Sequence, residues 1–149
     1  LLLWPGCCAI HARFDPDDVR EMRAAHPGCR VIAHPECREE VIAVCDGAGS
    51  TSFLIKDAAR VAAEAPGSTL IVGTENNLVH RLADRFKGQC RIIPLGHAIC
   101  GNMAKVTEKK LWTILTEIVS QKATPLEIEA QLCPPARLSL TRMLEACGL

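Results

Sequence analysis

Apolar residues along this chain change their spacing as it runs, and the changes mark out elements. Short apolar runs stand at Leu1 to Trp4, "RVIAH" (30–34), "STLIVG" (68–73) and "CRIIPL" (90–95). Runs this short, rich in Ile and Val and bounded by turn residues, predict buried strands. Between them the apolar positions return every three or four residues, which is the helical period. "DPDDVREMRAAHPG" (15–28) predicts a helix with acidic residues in its first turn and Gly28 past its end. "REEVIAVCDG" (38–47) predicts a helix ending at Gly47. "STSFLIKDAARVAAEAPG" (50–67) predicts a longer one, capped by Ser50 and stopped by Pro66 and Gly67. "ENNLVHRLADRFKG" (75–88) predicts a helix with Thr74 as its cap. "GHAICGNMAKV" (96–106) is a glycine-bearing loop. "TEKKLWTILTEIVSQK" (107–122) predicts a helix that buries Leu111, Trp112, Leu115, Ile118 and Val119 on one face, and "PARLSLTRMLEACG" (135–148) a last helix.

Strands that alternate with helices pair in parallel, so the pattern predicts an α/β fold. Ligands of such sheets sit at the C-terminal ends of the strands. The residues able to do chemistry fall at those places. Cys7, Cys8 and His11 follow the first strand; His34, Pro35, Glu36 and Cys37 follow the second. Thr74 and Glu75 follow the third, and Cys100, Asn102 and Met103 the fourth.

Composition narrows the class. The chain has 149 residues, 48% hydrophobic and 23% charged, which suits one domain or most of two small lobes. Formal net charge is zero, which gives no electrostatic footprint for nucleic acid or an anionic membrane. No apolar run approaches the roughly 20 residues that span a bilayer. Pro5 and Gly6 interrupt the apolar start and no basic segment precedes it, which argues against a signal peptide. The nine cysteines are an odd number scattered through helical and strand-like segments. That usage fits a reducing cytoplasm with a few thiols serving a metal better than a disulfide scaffold. Cys29, Cys45, Cys90 and Cys147 need no role beyond small hydrophobes.

Each candidate motif carries two readings. Cys8 follows Pro5 and Gly6, and Cys100 precedes Gly101; thiolates on such loops hold iron–sulfur clusters, or they are two inert thiols far apart in sequence. No CxxC pair marks a zinc ribbon or a ferredoxin. In "AHPEC" (33–37), His34 and Glu36 can aim into one pocket and move protons, or they can be an ordinary helix start. In "DGAGSTS" (46–52), glycines before Ser50 and Thr51 offer free N–H groups to an anion, or a plain cap. In "GTENN" (73–77) Thr74 and Glu75 read as a helix start, and His80 and Arg81 as residues on or near the solvated face.

Taken in order, "WPGCCAIH", "VIAHPEC", "GAGSTS", "IVGTENNLVHRL" and "CGNMAKVTEKKLW" resemble the quinolinate synthase family, over essentially the whole chain including "LTRMLEACG". The resemblance implies three similar αβα lobes with short parallel sheets around a pseudo-threefold axis. It implies a cytoplasmic enzyme of NAD biosynthesis that condenses iminoaspartate with dihydroxyacetone phosphate to quinolinate, phosphate and water. An aspartate-oxidising enzyme would supply the iminoaspartate; no nucleic acid or membrane partner is implied. One [4Fe–4S] cluster would be held by one Cys from each lobe, here Cys8 by register, with Cys7 in the variable position, and Cys100. Substrate binding would fall to His34, Pro35, Glu36, Ser50 and Thr51, with acid–base work at His34 and Glu36 and supporting roles for His11 and Glu75.

By the same resemblance this chain is the C-terminal half or so of the enzyme, without the N-terminal lobe that carries the first cluster Cys. Residues 1–14 would end one lobe and carry a cluster loop, 15–95 would form an α/β lobe, and 96–149 a second cluster loop and the terminal helices. Alone, the chain is then expected neither to hold the cluster stably nor to turn over. The rival reading is a non-catalytic α/β ligand-binding module with structural thiols. A zinc hydrolase is weaker still, since no HExxH-like pair is present.

Overall fold

The computed structural model of the chain describes residues 6–148, so the strand expected at Leu1 to Trp4 lies outside the described residues. The described residues fall into two compact units, one running to Lys105 and the other starting at Val106.

The first unit is built on a four-stranded parallel sheet. Its strands are β1 (Arg30–Ala33), β2 (Gly47–Ala48), β3 (Thr69–Gly73) and β4 (Arg91–Pro94), in the spatial order β2-β1-β3-β4. Its helices are α1 (Pro16–Ala25), α2 (Glu39–Ala43), α3 (Thr51–Glu64) and α4 (Asn76–Arg85). Strand side chains alternate between the two faces of a sheet, and this alternation divides the core in two. Ile32, Leu70, Val72 and Ile92 pack with Leu54, Ala58 and Val61 of α3 and Val79 and Leu82 of α4. Val31, Ala33 and Ile71 pack with Val19 of α1, Val41 of α2 and the flanking Phe14 and Leu95. The result is a three-layer αβα lobe, as the alternating pattern predicts.

Local chemistry explains the boundaries. Asp15 caps α1, accepting from the Asp17 N–H at 3.0 Å while the Asp18 carboxylate takes the Asp15 N–H at 2.7 Å. Pro16 follows at the first helical position, where its missing N–H costs nothing. Gly28, Gly67 and Gly88 end their turns with φ between 77° and 82°, a region only glycine enters freely.

Two sequence expectations are corrected here. The helix expected over 38–47 stops at Ala43, and Gly47–Ala48 forms β2. The Asp46 N–H donates to the Val31 carbonyl at 2.7 Å and the Gly49 N–H to the Ala33 carbonyl at 3.1 Å, so the backbone joins the sheet edge. Gly and Ala have low strand propensity, and two residues show no alternation, so pattern could not reveal this strand. The cap of α4 is Glu75, whose carboxylate accepts from the Asn77 N–H; Thr74 is left for another task.

The second unit holds α5 (Glu108–Val119), capped by Thr107, and α6 (Cys133–Ala146). The helical period is as read, but the expected burial is not: Leu111, Trp112, Leu115, Ile118 and Val119 are all exposed. Periodicity marks a stripe that favours a partner without supplying one.

Candidate functional site

Parallel pairing brings the exits of all four strands to one edge of the sheet. At the exit of β1 the His34 N–H donates to the Gly73 carbonyl at 2.9 Å, extending the ladder by one residue. Pro35, with no N–H, cannot continue it. The chain turns, the Cys37 N–H donates to the His34 carbonyl at 3.0 Å, and the Glu36 N–H points at His34 Nδ1 at 3.3 Å.

At the exit of β3, Thr74 and Glu75 are both buried. Glu75 accepts from the Asn77 N–H at 2.8 Å and its side-chain amide at 2.9 Å, and from the Cys100 N–H at 3.4 Å. Asn76 exchanges two hydrogen bonds with Ala98, at 2.8 and 3.2 Å. The start of α4 therefore stitches down the loop after β4 and fixes where Cys100 stands. Gly73 is also held to its type: an added Cβ would lie 3.1 Å from Leu95 and 3.2 Å from Ala33.

At the exit of β2, Ser50 accepts from the Phe53 N–H at 3.4 Å and so caps α3. Gly49 before it has no room for a side chain, since a Cβ would meet the Phe53 ring 2.4 Å away. The loop before α1 closes the group. His11, in a 3-10 turn and 8% exposed, places Nε2 3.1 Å from Thr74 Oγ1. Its ring stacks on that of His34, 4.5 Å between centroids and 16° from parallel. Glu36 Oε2 lies 3.1 Å from His11 Nδ1 and 3.5 Å from His34 Nδ1.

These side chains line one cavity of about 420 Å³, with His11, His34, Glu36, Thr51, Thr74 and Glu75 on its wall and Arg81 and Met103 beside them. Burial lowers the pKa of His11 from its ordinary value, and the neighbouring His34 lowers it further, while the Glu36 carboxylate pulls it back up. The net lowering favours the neutral imidazole, which stands between a hydroxyl and a carboxylate.

Of the residues singled out in the sequence, His11, His34, Glu36, Thr51, Thr74, Glu75 and Met103 meet at this cavity. Pro35 lines a neighbouring one of about 600 Å³ with Gly6, Cys7, Cys8 and Glu36. Ser50 is spent as the helix cap and does not line the main cavity. Sequence reasoning understated Thr74 and Arg81. Thr74 carried a signal, its place immediately after a strand; Arg81 carried none beyond its distance from Asn77 along α4.

Cys8 and Cys100 line a third cavity, of about 490 Å³, together with Cys7 and Asn102. Cys8 and Cys100 are half-buried and Cys7 is exposed, whereas Cys29, Cys37 and Cys90 are buried. Burial pushes the Cys37 thiol up to about 11, and the nearby Cys45 adds to it; its S–H faces the Gly73 carbonyl at 3.6 Å. Cys37 is thus a core thiol. Two accessible thiols on glycine-bearing loops that line one cavity are a donor set whose chemistry fits iron–sulfur ligation.

Comparison with known proteins agrees with the geometry. The sequence profile of the family described as quinolinate synthetase A protein matches residues 1–145. The quinolinate synthase of Methanoregula boonei is 40% identical over 145 residues, covering 97% of this chain and 45% of that protein. That of Streptomyces coelicolor is 38% identical, covering 97% of this chain and 37% of the relative. That of Corynebacterium glutamicum is 36% identical, with 97% and 36% covered. The chain therefore spans less than half the length of these relatives. With a family match across nearly its whole length and relatives of this identity, the chain belongs to the quinolinate synthetase A protein family.

Proposed function

We propose that this chain is the part of a cytoplasmic quinolinate synthase that supplies the acid–base residues and two of three cluster ligands. The substrates are iminoaspartate and dihydroxyacetone phosphate, and the products quinolinate, phosphate and water. The observation that carries this reading is the convergence of His34, Glu36, Thr51, Thr74 and His11 on one cavity. Cys8 and Cys100 share another cavity.

Cys8 and Cys100 would hold a [4Fe–4S] cluster, with a third thiolate from the rest of the polypeptide. When bound, such a cluster supplies a Lewis-acidic iron with a free coordination position, which eases loss of a poor leaving group such as hydroxide.

The protein residues account for the remaining chemistry. Glu36 stands half-exposed at the rim, within 3.5 Å of both imidazoles. It takes a proton from an acidic carbon or nitrogen of the substrate, and His34 returns one to a departing oxygen. His11, held by Thr74, orients the Glu36 carboxylate. Thr51 and the first N–H groups of α3 receive an anionic group of the substrate, where the helix end favours negative charge. Arg81 adds the positive charge of the cavity wall.

The accessibility of Cys8 and Cys100 favours this reading over a binding module with structural thiols, which would bury them as it buries Cys37. The test is quinolinate formation by the whole polypeptide, purified without oxygen. Glu36→Gln is expected to lower kcat by about 10²- to 10⁴-fold. Thr51→Ala is expected to act mainly on KM. A wild-type protein that binds dihydroxyacetone phosphate and yields no quinolinate would overturn the proposal.

A further inference from the structure

Three donor atoms of different chemistry meet at the junction of these cavities. The ligand atoms of Cys8, His11 and Glu36 all lie within 4.8 Å of one another. His11 Nδ1 is buried and meets Glu36 Oε2 at 3.1 Å, but without the geometry of a hydrogen bond. A buried imidazole nitrogen set against a carboxylate without a well-formed hydrogen bond is a position that a cation shared by the two would satisfy. The other ring nitrogen is already engaged with Thr74 Oγ1 at 3.1 Å, which fixes the ring with Nδ1 facing the carboxylate and the thiol. A histidine whose far nitrogen is held in this way has the usual arrangement of a metal ligand.

We propose that the cluster-free chain binds a single divalent ion of the zinc class through Cys8 Sγ, His11 Nδ1 and a Glu36 carboxylate oxygen. Donor chemistry sets the class. Thiolate with imidazole selects Zn²⁺, Co²⁺ or Fe²⁺ over Mg²⁺ and Ca²⁺, which take oxygen. In a tetrahedral site with bonds of about 2.0–2.3 Å, neighbouring ligand atoms stand roughly 3.3–3.8 Å apart. The His11–Glu36 separation is already close to that edge. The remaining closure, toward Cys8, is a movement of about 1 Å, within the side-chain freedom of the half-buried Cys8 and of Glu36, whose side chain is 56% exposed. Three protein ligands leave the fourth position open toward the cavity, the arrangement of an exchangeable or Lewis-acidic site. Cys100 takes no part, which separates this site from the cluster reading.

The test is titration of the iron-free, sulfide-free polypeptide with Co²⁺ under reducing conditions. One Co²⁺ per chain is expected, with a thiolate-to-cobalt charge-transfer band and intense tetrahedral ligand-field bands. Zn²⁺ should displace it and Mg²⁺ should not. Cys8→Ser removes the charge-transfer band. Glu36→Gln, at an exposed position that leaves folding intact, weakens binding by at least about tenfold, as does His11→Gln. Cys100→Ser and Cys7→Ser change nothing. The proposal is overturned if no thiolate band appears, if the band survives Cys8→Ser, if Glu36→Gln binds as tightly as wild type, or if Cys100→Ser abolishes it. The last result would leave a two-thiol site and the cluster reading intact.

Discussion

Asp57 is a buried charge held by two arginines. It is 6% exposed on α3, and burial alone would raise its pKa. Hydrogen bonds from Arg30 and Arg60 outweigh that and hold the carboxyl below its ordinary value of 3.8. Arg30 Nε stands at 2.8 Å and Arg60 at 2.7 Å. Because the folded pKa is depressed, the contribution is complete above the unfolded value and is lost as pH falls through the folded one. Asp57→Asn is therefore expected to cost about 1–3 kcal/mol at pH 7, with the difference from wild type shrinking below about pH 4. Denaturant titrations across that range read it directly. The thiols give a second residue-scale prediction. Cys7 is exposed and Cys37 is buried with its pKa near 11, so maleimide at neutral pH should label Cys7 quickly and leave Cys37 unmodified until the protein unfolds. None of this was legible in the sequence, where Asp57 was one more helical acid and the nine cysteines differed only in their neighbours.

Elements were legible where many residues agree. α3 and α4 show their period over three turns, and β1, β3 and β4 are continuous apolar runs, so all five were read close to their observed bounds. What escaped is short or rests on geometry. β2 has two residues of weak strand propensity, and its place follows from hydrogen bonds to β1 that no periodicity encodes. The cap of α4 moved from Thr74 to Glu75 because Thr74 is held by His11, a partner 63 residues away. The stripe on α5 was read correctly as a stripe, but burial depends on what faces it, which a period cannot specify. The β2–α3 turn offers the sharpest test at this scale. Gly49→Val places a side chain against the Phe53 ring, where even a Cβ would lie 2.4 Å away. It should destabilise the fold by about 1–3 kcal/mol, the ordinary cost of overpacking. It should also displace Thr51 from the cavity wall, seen as a larger loss of substrate affinity than the stability change accounts for.

At the scale of the whole molecule, parallel strands decide where chemistry can occur. Once β1, β2, β3 and β4 run in one direction, their exits share an edge, and segments distant in sequence meet there. That rule, applied to the sequence, led to Cys8, His11, His34, Glu36, Thr74, Glu75 and Cys100, whereas Thr51, which follows the unforeseen β2, was reached through the "DGAGSTS" motif and the family resemblance. It could not foresee the stacking of His11 on His34, or the meeting of Cys8, His11 and Glu36, because these depend on side-chain directions. It also could not separate accessible thiols from core ones, a distinction made by packing. The central claim is that Cys8 and Cys100, on two different loops, are ligands of one iron–sulfur cluster. The direct measurement is iron and sulfide content with the visible spectrum of the whole polypeptide, prepared without oxygen, for wild type, Cys7→Ser, Cys8→Ser and Cys100→Ser. The account predicts a brown wild type with close to four irons per chain, about what one cubane holds, retained in Cys7→Ser and lost in both Cys8→Ser and Cys100→Ser. A wild type that stays colourless after cluster reconstitution, or a cluster that survives Cys100→Ser, would contradict it.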